Sequence, residues 1–348
     1  MLEISIRDPR LRVRIAADLP REGTMNIEFS ARRIVAALFT MLLIVGLCGR
    51  AGAQTGVSSC QTLSAPGNYF LTSNLSASGD CLVIGAANVA IDLKGKTIKG
   101  NGSGSGITDG GSARNFAIIA NGKISGFSNG VNLLASGQAI ISNLNSSNNT
   151  SEGIIIGDCC NTLSAVTTNN NGDVGIVIQD DDSNLTNIQA NKNANGGILI
   201  TQCCNTLVGS TVSSNTGIGV EMTGGGDSFV VASKIQKNSD IGLEMARGDN
   251  GVISSTTSKN GGDGMDLTTN GDNMVVASKS TGNSGVGINI GAKWGIISGV
   301  TVSKNHSDGV DMQCRGSTAS LTATKNSGTN LVQTVVDGPC ANANLNAP

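Results

Sequence analysis

Aromatic residues are almost absent from this sequence: they make up 2% of its 348 residues, with one tryptophan, one tyrosine and six phenylalanines. So few large side chains would leave a conventional compact domain poorly filled, whereas they suit a narrow core of valine, isoleucine and leucine. The formal net charge is only −2, which gives no reason to expect nucleic acid as a partner. The N-terminal apolar run, residues 34–47, is shorter than the roughly 20 residues that span a bilayer.

That run instead predicts an export signal. Arg32 and Arg33 precede it, and residues 51–53 (Ala-Gly-Ala) are typical of a cleavage site. We therefore interpret residues 1–53 as an N-terminal extension and secretory signal peptide that is removed. The mature chain would then be secreted or periplasmic and would contain no membrane span.

What the sequence does contain is a repeat. Glycine recurs at spacings of 22 or 23 residues, and each one opens the phrase glycine–apolar–variable–apolar. A fixed period in this range is typical of stacked, equivalent supersecondary units. The repeated glycines are Gly130, Gly153, Gly175, Gly197, Gly219, Gly242, Gly264, Gly287 and Gly309.

Each unit contains further columns of equivalent residues. The residues one and three positions after the glycine are apolar, which is the alternation of a strand with one buried face. An asparagine stands four residues before each following glycine, and asparagine suits a tight corner and can form hydrogen-bonded stacks. A second apolar column lies ten residues after the glycine: Ile140, Leu163, Leu185, Leu207, Phe229, Val252, Met274 and Ile297. The asparagines are Asn149, Asn171, Asn193, Asn215, Asn238, Asn260, Asn283 and Asn305.

A unit of about 22 residues has no room for a helix that crosses back over a sheet. Each strand must therefore pair in parallel with its equivalent one turn on, and such crossovers are nearly always right-handed. We predict an all-β, single-domain, right-handed parallel β-helix over residues 82–335. Residues 54–81 would form an N-terminal cap, and residues 336–348 a C-terminal tail.

The N-terminal part of the repeat resembles a known family. Residues 66–71 (Pro-Gly-Asn-Tyr-Phe-Leu), 89–98 (Val-Ala-Ile-Asp-Leu-Lys-Gly-Lys-Thr-Ile) and 121–127 (Asn-Gly-Lys-Ile-Ser-Gly-Phe) are similar to the opening of right-handed parallel β-helix proteins of the pectin-lyase-like superfamily. The resemblance covers about residues 60–335 and implies the fold. That superfamily includes polysaccharide lyases, hydrolases, epimerases, adhesins and members without known catalysis, so the resemblance implies no single activity.

The residue two positions after each glycine should face outward. Because parallel strands lie about 4.8 Å apart, Glu221, Glu244 and Asp266 would stack in register. Stacked carboxylates repel each other, so we expect raised pKa values, neighbouring cations, or a bound hard metal such as calcium at these three residues. The full outward column reads Asn132, Ile155, Val177, Leu199, Glu221, Glu244, Asp266, Asn289 and Asp311.

Cations and one aromatic residue stand in the turns after the acidic strands, namely Arg247, Lys293, Trp294 and Arg315. With the acids they predict a polysaccharide site, in which Trp294 would stack on a sugar. In β-helix lyases, as the resemblance implies, calcium-bridged uronate and an arginine or lysine base perform β-elimination. The alternative is that these charges only solubilise the surface. The predicted polysaccharide-binding residues are Glu221, Glu244, Asp266, Asn289, Trp294 and Asp311.

Two other groups are candidates for catalysis. Asp180 and Asp181 resemble the paired aspartates of polygalacturonase-like glycosidases, although the Gly-His-Gly and Arg-Ile-Lys motifs of those enzymes are absent. Three successive acids also occur in solvated turns. The lone histidine, His306, could form an acid–base pair with Asp311, or lie exposed at a corner without a role.

Removal of Cys48 with the signal leaves eight cysteines, an even number that permits disulfides in an exported chain. Cys60 and Cys81 bracket the N-terminal end of the repeat, and Cys314 and Cys340 the C-terminal end. The sequence does not determine their connectivity, although a disulfide within each pair would cross-link one end of the repeat.

Two adjacent cysteine pairs occur in turns two units apart, beyond disulfide reach of each other. Each pair must form a vicinal disulfide, remain reduced, or bind zinc or copper jointly with the intervening aspartates. In an oxidising compartment we favour vicinal disulfides next to an exposed apolar patch of Ile155, Val177 and Leu199, which would suit a protein partner. The pairs are Cys159 with Cys160 and Cys203 with Cys204.

We therefore predict an exported protein that binds, and in one version cleaves or modifies, an extended polysaccharide along its outer face. If it is an enzyme, it should be lyase-like or glycoside hydrolase-like. The first alternative is a non-catalytic structural or adhesive rod that uses the apolar patch for protein contacts. The second is a periplasmic metal-handling protein, by resemblance to the β-helix protein that helps to mature nitrous oxide reductase.

Overall fold

The computed structural model describes residues 2–3, 14–15, 53–267, 272–291, 295–313 and 317–334, and every regular element in these ranges is a β-strand. The chain divides into two units, residues 1–52 and residues 53–348. In the first unit, Leu2–Glu3 pairs with Arg14–Ile15 as an antiparallel two-stranded sheet. The predicted export run, residues 34–47, lies outside the described residues. No helix in the described ranges is long and apolar enough to cross a membrane.

The second unit is a parallel coil in which each turn contributes strands to three faces. Thirteen strands form the first sheet, and each pairs in parallel with its equivalent in the next turn. These strands are Gln61–Leu63, Leu82–Ile84, Ser105–Thr108, Asn129–Leu133, Ile154–Ile156, Val174–Ile178, Gly196–Ile200, Ile218–Met222, Leu243–Met245, Met265–Asp266, Ile288–Ile290, Val310–Gln313 and Leu331–Thr334.

The second and third sheets are joined by two long strands, Ile118–Ser125 and Ile140–Ser146, which contribute to both. The second sheet also contains Gln54–Val57, Gly67–Leu71, Val89–Asp92, Thr162–Ser164, Asn184–Thr186, Thr206–Val208, Phe229–Val231, Gly251–Ile253, Met274–Val276, Ile296–Ser298 and Ser317–Ala319. The third sheet also contains Leu75–Ser76, Thr97–Lys99, Thr167–Asn169, Gln189–Asn191, Thr211–Ser213, Lys234–Gln236, Thr256–Ser258, Lys279–Thr281, Thr301–Ser303 and Thr322–Thr324.

This arrangement confirms the predicted all-β parallel coil of about 22 residues per turn. The apolar residues that flank the variable position in each glycine-led strand face inward: Ile176 and Ile178, for example, have no exposed surface. The predicted cap, residues 54–81, contains strands that pair in parallel with the following turn, as Gln61–Leu63 does with Leu82–Ile84. The domain boundaries themselves stay a prediction.

The second apolar column departs from the predicted fixed spacing in three turns, those that contain Ile140, Phe229 and Met274. Ile140 and Phe229 are half-buried, and the fully buried residue lies one position later in each case. These turns span 23 residues between glycines, and the extra residue precedes the second-sheet strand and shifts its register. The residues that align with Leu163, Leu207 and Val252 are Ile141, Val230 and Val275.

The predicted asparagine stack is present and buried. The Oδ1 atom of Asn215 accepts hydrogen bonds from the backbone N and from Nδ2 of Asn193, at 2.9 and 3.0 Å. Its own Nδ2 donates to Oδ1 of Asn238 at 2.9 Å and to the carbonyl of Ala190 at 3.0 Å. Every polar atom of this buried amide therefore has a partner, as a low-dielectric interior requires.

The repeated glycines leave room for this stack. A Cβ atom on Gly175 would lie 2.6 Å from Nδ2 of Asn193, 2.7 Å from the carbonyl of Gly197 and 2.8 Å from the hydroxyl of Thr168. Glycine is therefore required by the close approach of backbone and amide at this corner.

A second polar stack, which was not predicted from the sequence, lies at the corner before the second sheet. Ser183 N donates to Oδ1 of Asn205 at 2.8 Å, and Ser228 N to Oδ1 of Asn250 at 3.1 Å. Its signal in the sequence is a polar residue eight or nine positions after the glycine. The members are Asn161, Ser183, Asn205, Ser228, Asn250 and Asn273.

Replacing Asn215 by alanine should lower the free energy of unfolding by about 2–4 kcal/mol, because four hydrogen bonds are lost and buried donors on Asn193 are left unpaired. The measurement is denaturant unfolding followed by circular dichroism. Asn195→Ala is the matched control, because this exposed amide makes one hydrogen bond, to Asp173. Equal losses in both variants would contradict a stabilising role for the stack.

Gly175→Ala should also destabilise the coil, by about 1–3 kcal/mol, because the new methyl group meets the backbone and the asparagine stack at once. Gly79→Ala is the control, since a Cβ atom there has no neighbour within 4 Å. Thermal unfolding of both variants tests this, and a stable Gly175→Ala protein would show that the corner is not tightly packed.

Candidate functional site

The predicted acidic column lies on the outer side of the first sheet. Glu221 pairs with Glu244, Glu244 with Asp266, Asp266 with Asn289, and Asn289 with Asp311. The alternation of each strand points these side chains outward while their neighbours fill the core, and all five are partly exposed. The structure therefore brings five of the six predicted polysaccharide-binding residues into one column, and Trp294 lies outside the described residues.

Three carboxyl groups of this column, those of Glu221, Glu244 and Asp311, have raised pKa values. Partial burial raises the pKa of Glu221 and that of Asp311, the latter with a contribution from the nearby Asp308 carboxylate. Burial also raises the pKa of Glu244, and the charges of Glu221, Asp266 and Asp240 add to this effect. Of the three forms of compensation considered for stacked carboxylates, the geometry supports the raised pKa values.

Asp263 is a further carboxyl group with a raised pKa next to this column, and it was not predicted from the sequence. Its Oδ1 atom accepts a hydrogen bond from the backbone N of Val286 at 2.7 Å. The Asp263 side chain also forms a hydrogen bond with the Asn289 side chain. Burial is the main cause of its raised pKa. Its position in the sequence, directly before a repeated glycine, is the feature that could have identified it. Glu152 and Asp308 occupy the same position in other turns.

The predicted cationic partners are mostly outside the described part of the chain. Lys293 and Arg315 belong to residues whose structure is not described. Arg247 is exposed, and its backbone carbonyl accepts a hydrogen bond from the Asn250 side chain. The roles of these three residues as a catalytic base stay a prediction.

Oxygen atoms in register are the type of ligand that calcium prefers, but the column does not form a closed site by itself. Within the described ranges, no three histidine, cysteine, aspartate or glutamate side chains are placed to hold a metal ion. A calcium ion at Glu221, Glu244 and Asp266 stays a prediction.

Asp180 is buried in the turn after a first-sheet strand, with 6% of its surface exposed. One carboxylate oxygen accepts from the backbone N of Asp181 at 2.6 Å, and the other from Nδ2 of Asn161 at 3.2 Å. Burial raises its pKa to about 7, and the charges of Asp181 and Asp158 contribute to this rise. Asp180 is thus linked to the second polar stack through Asn161.

The turns on either side of Asp180 contain the adjacent cysteine pairs, which the structure joins as vicinal disulfides, Cys159 with Cys160 and Cys203 with Cys204. Asp181 and Asp182 occupy the equivalent places between them, and the Asp181 carbonyl accepts from the backbone N of Cys160 at 3.2 Å. A third disulfide joins Cys60 to Cys81, with a Cα–Cα distance of 4.4 Å. Cys314 and Cys340 lie outside the described residues.

The predicted apolar patch is smaller than expected. Val177 is only 5% exposed, and Ile155 and Leu199 are half-buried. The two half-buried residues lie one turn to either side of Val177, in register with it, and help to cover it. A protein partner at this patch stays a prediction.

His306 is exposed at a corner, where its backbone N donates to the carbonyl of Asn283 at 2.9 Å. No hydrogen bond between its side chain and Asp311 is present within the described ranges. An acid–base pair of these two residues therefore stays a prediction.

Comparisons with known proteins agree with this architecture. Residues 152–295 match the family model described as "Right handed beta helix region". A search of curated proteins finds no match to the sequence.

Solved structures show the same fold over most of the chain. The A-module of mannuronan C-5 epimerase AlgE4 from Azotobacter vinelandii is similar with a TM-score of 0.59 and 14% identity, over 80% of this chain and 91% of that chain. The A-module of AlgE6 from the same organism has a TM-score of 0.53 and 13% identity, over 91% of this chain and 95% of that chain. The Dettilon tailspike protein has a TM-score of 0.53 and 12% identity, over 76% of this chain and 59% of that chain.

At these identities the likeness shows the fold alone, and it agrees with the parallel register of the strands and with the family-model match. The chain therefore has the right-handed parallel β-helix fold.

Proposed function

We propose that this protein binds an extended polysaccharide along the acidic column of its first sheet, outside the cytoplasm. The observation that carries the proposal is the in-register stack of Glu221, Glu244, Asp266, Asn289 and Asp311. One polar side chain per strand, about 4.8 Å apart, offers the same contact repeatedly to a ligand that repeats along its length. The mannuronan C-5 epimerases with the same fold support a polysaccharide as the ligand class.

The charge of the column favours sugars that donate hydrogen bonds. Carboxylates accept strong hydrogen bonds from hydroxyl groups, whereas they repel the carboxylates of a polyuronate. A neutral polysaccharide therefore fits the column directly. A polyuronate would need a cation to bridge the two sets of carboxylates, and calcium is the cation that oxygen ligands favour.

The double variant Glu244→Gln, Asp266→Asn should bind neutral polysaccharide at least about tenfold more weakly, because two charge-assisted acceptors in the middle of the column become neutral. A glycan array followed by titration calorimetry measures this. Glu152→Gln is the control, since this acid lies three turns from Glu221. Unchanged affinity in the double variant would remove the column as the site.

The same array includes polyuronates, assayed with calcium and with a chelator. Binding of a polyuronate only with calcium would support the bridged form. Formation of an unsaturated product, followed by ultraviolet absorbance, would add lyase activity to the proposed binding. The absence of product from every polyuronate under both conditions would exclude the lyase interpretation.

Catalysis at Asp180 is the second candidate, favoured by its raised pKa of about 7 and by Asp181 next to it. A carboxyl group that titrates near neutral pH suits a general acid. Against this role, both of its oxygens are already engaged by Asn161 and by the Asp181 backbone. A structural role in the turn accounts for these contacts without catalysis.

The variant Asp180→Asn separates the two roles through pH dependence. Because the folded protein holds the Asp180 proton more tightly than the unfolded chain, this carboxyl loses stabilising free energy as the pH rises from about 4 to about 7. The variant should therefore be more stable than the wild type at pH 8, by about 1–4 kcal/mol, and the difference should vanish in acid. Denaturant unfolding across this pH range measures it.

Asp227→Asn is the matched control, because Asp227 is an exposed corner aspartate. Loss of polysaccharide cleavage in Asp180→Asn, with its stability raised as expected, would favour the catalytic role. A variant that is no more stable than the wild type at pH 8 would contradict the raised pKa of Asp180.

A further inference from the structure

Lysines and acidic residues occupy different positions within each turn. Beyond residue 140, the described second-sheet and third-sheet strands contain no aspartate or glutamate, whereas the acidic column belongs to the first sheet. Acids also stand in the turns that lead from the third sheet to the first, at Glu152, Asp173, Asp240, Asp263 and Asp308. The third-sheet strands and the residues directly after them contain seven exposed lysines, and an eighth, Lys123, lies on the long strand that precedes them. The seven are Lys192, Lys234, Lys237, Lys259, Lys279, Lys304 and Lys325.

Five of these lysines occupy one corner of the coil, directly after the third-sheet strands. Their backbones are left-handed, with φ between 57° and 60°. Such a corner favours asparagine or glycine, and Asn148, Asn170 and Gly282 do occupy it in other turns. The backbone does not call for lysine here, so its recurrence points to a role of the side chain. The five are Lys192, Lys237, Lys259, Lys304 and Lys325.

The remaining lysines alternate with threonine on the third sheet. Thr211, Lys234, Thr256, Lys279 and Thr301 are paired in register along five successive strands. An ammonium group therefore recurs at every second strand, about 9.6 Å apart. In an extended, ribbon-like polysaccharide the substituents of alternate sugars reach the same side, so carboxylates would recur with a similar period.

An open groove of about 350 Å³ lies at the N-terminal end of the same surface. Its lining includes Asn121, Lys123, Asn143, Asn145 and Thr167. Nδ2 of Asn143 donates to Oδ1 of Asn121 at 3.0 Å. Lys123, Asn145 and Thr167 are in register with each other, and the third sheet continues this column to Thr211. The groove thus lies on the same column of paired residues as the alternating lysines and threonines, and Thr167 is two turns before Thr211.

The chemistry of this surface favours a carboxylated glycan over other polyanions. Within the described ranges, none of the eight lysines forms a salt bridge. The third-sheet strands and their corners contain no arginine, which best matches phosphate geometry, and within the described ranges His306 is their one exposed aromatic side chain. They also present no apolar side chain that could anchor in a membrane. Hydroxyl, amide and ammonium groups suit sugar hydroxyls and carboxylates.

We propose that the eight lysines, the polar side chains between them and the groove beside Lys123 form a second binding surface for an extended carboxylated polysaccharide. We call it the lysine face. It is separate from the acidic column, and it would take the charged class of ligand that the column repels.

Sodium polygalacturonate is the probe, and its fully methyl-esterified form is the uncharged control with the same backbone. We expect the wild-type protein to bind polygalacturonate, to bind the ester more weakly, and to lose affinity as salt is raised. The quadruple variant Lys237→Asn, Lys259→Asn, Lys304→Asn, Lys325→Asn should bind polygalacturonate at least about tenfold more weakly, with a shallower salt dependence. Asparagine already occupies the equivalent corner at residues 148 and 170, so this change suits the backbone.

Two further variants keep the test decisive. Lys234→Thr with Lys279→Thr copies the residue of the neighbouring strands and should also weaken binding, even if the quadruple variant folds poorly. Glu221→Gln with Glu244→Gln should retain polygalacturonate binding in the absence of calcium, which distinguishes this face from the acidic column.

The proposal would be overturned by any of four results. These are no binding of polygalacturonate by the wild type, equal binding of the methyl ester, unchanged binding in both lysine variants, or tighter binding of duplex DNA or phosphatidylglycerol vesicles than of polygalacturonate.

Discussion

The structure depends on the hydrogen-bonded asparagine column packed against the repeated glycines. Each amide of the column donates a hydrogen bond to the amide of the next turn, as Asn193 does to Asn215. Most also donate to a backbone carbonyl one turn back, as Asn193 does to Thr168, whereas Asn149 and Asn283 donate to the hydroxyls of Ser146 and Ser280. A shift by one residue in any turn would leave buried donors without partners, at a cost of about 1–3 kcal/mol each. The glycines close this corner because no side chain fits between the backbone and the amide. The column therefore holds successive turns in one register.

That register turns a sequence repeat into chemically uniform surfaces. Once the turns are aligned, a residue type that recurs at one offset becomes a line of identical groups about 4.8 Å apart. The offset two residues after the glycine produces the acidic column, in which the charges of Glu221 and Asp266 add to the raised pKa of Glu244. The corner after the third sheet produces a line of lysines from the same mechanism. A net charge of −2 conceals this separation, because the two signs cancel in the composition but not on the surface.

The sequence was sufficient for the fold because its signals are local and repeated. The glycine phrase, the inward apolar pairs and the asparagine stack could all be read from spacing alone. Counting from a fixed offset failed where a turn holds an extra residue, as at Ile140 and Phe229, because the insertion lies before the second-sheet strand and moves only that strand. Val177 was expected to be exposed, but it is almost fully buried. Its burial depends on side-chain packing, which residue spacing in the sequence does not predict. Asp263 was missed because it lies outside the column in sequence and joins it through a hydrogen bond to Asn289 and through the nearby charge of Asp266.

The stacking of equivalent residues also limits what the surface of the fold can bind. Stacking like charges costs free energy, and the chain meets this cost differently on its two charged surfaces. Glu221, Glu244 and Asp311 of the acidic column are partly buried, so they hold protons more tightly. The lysines have long flexible stems on an exposed corner, so their charged groups remain in water. A ligand of the acidic column must therefore compete with protons, whereas a ligand of the lysines must compete with dissolved ions. Binding at the column should accordingly depend on pH, and binding at the lysine face on salt.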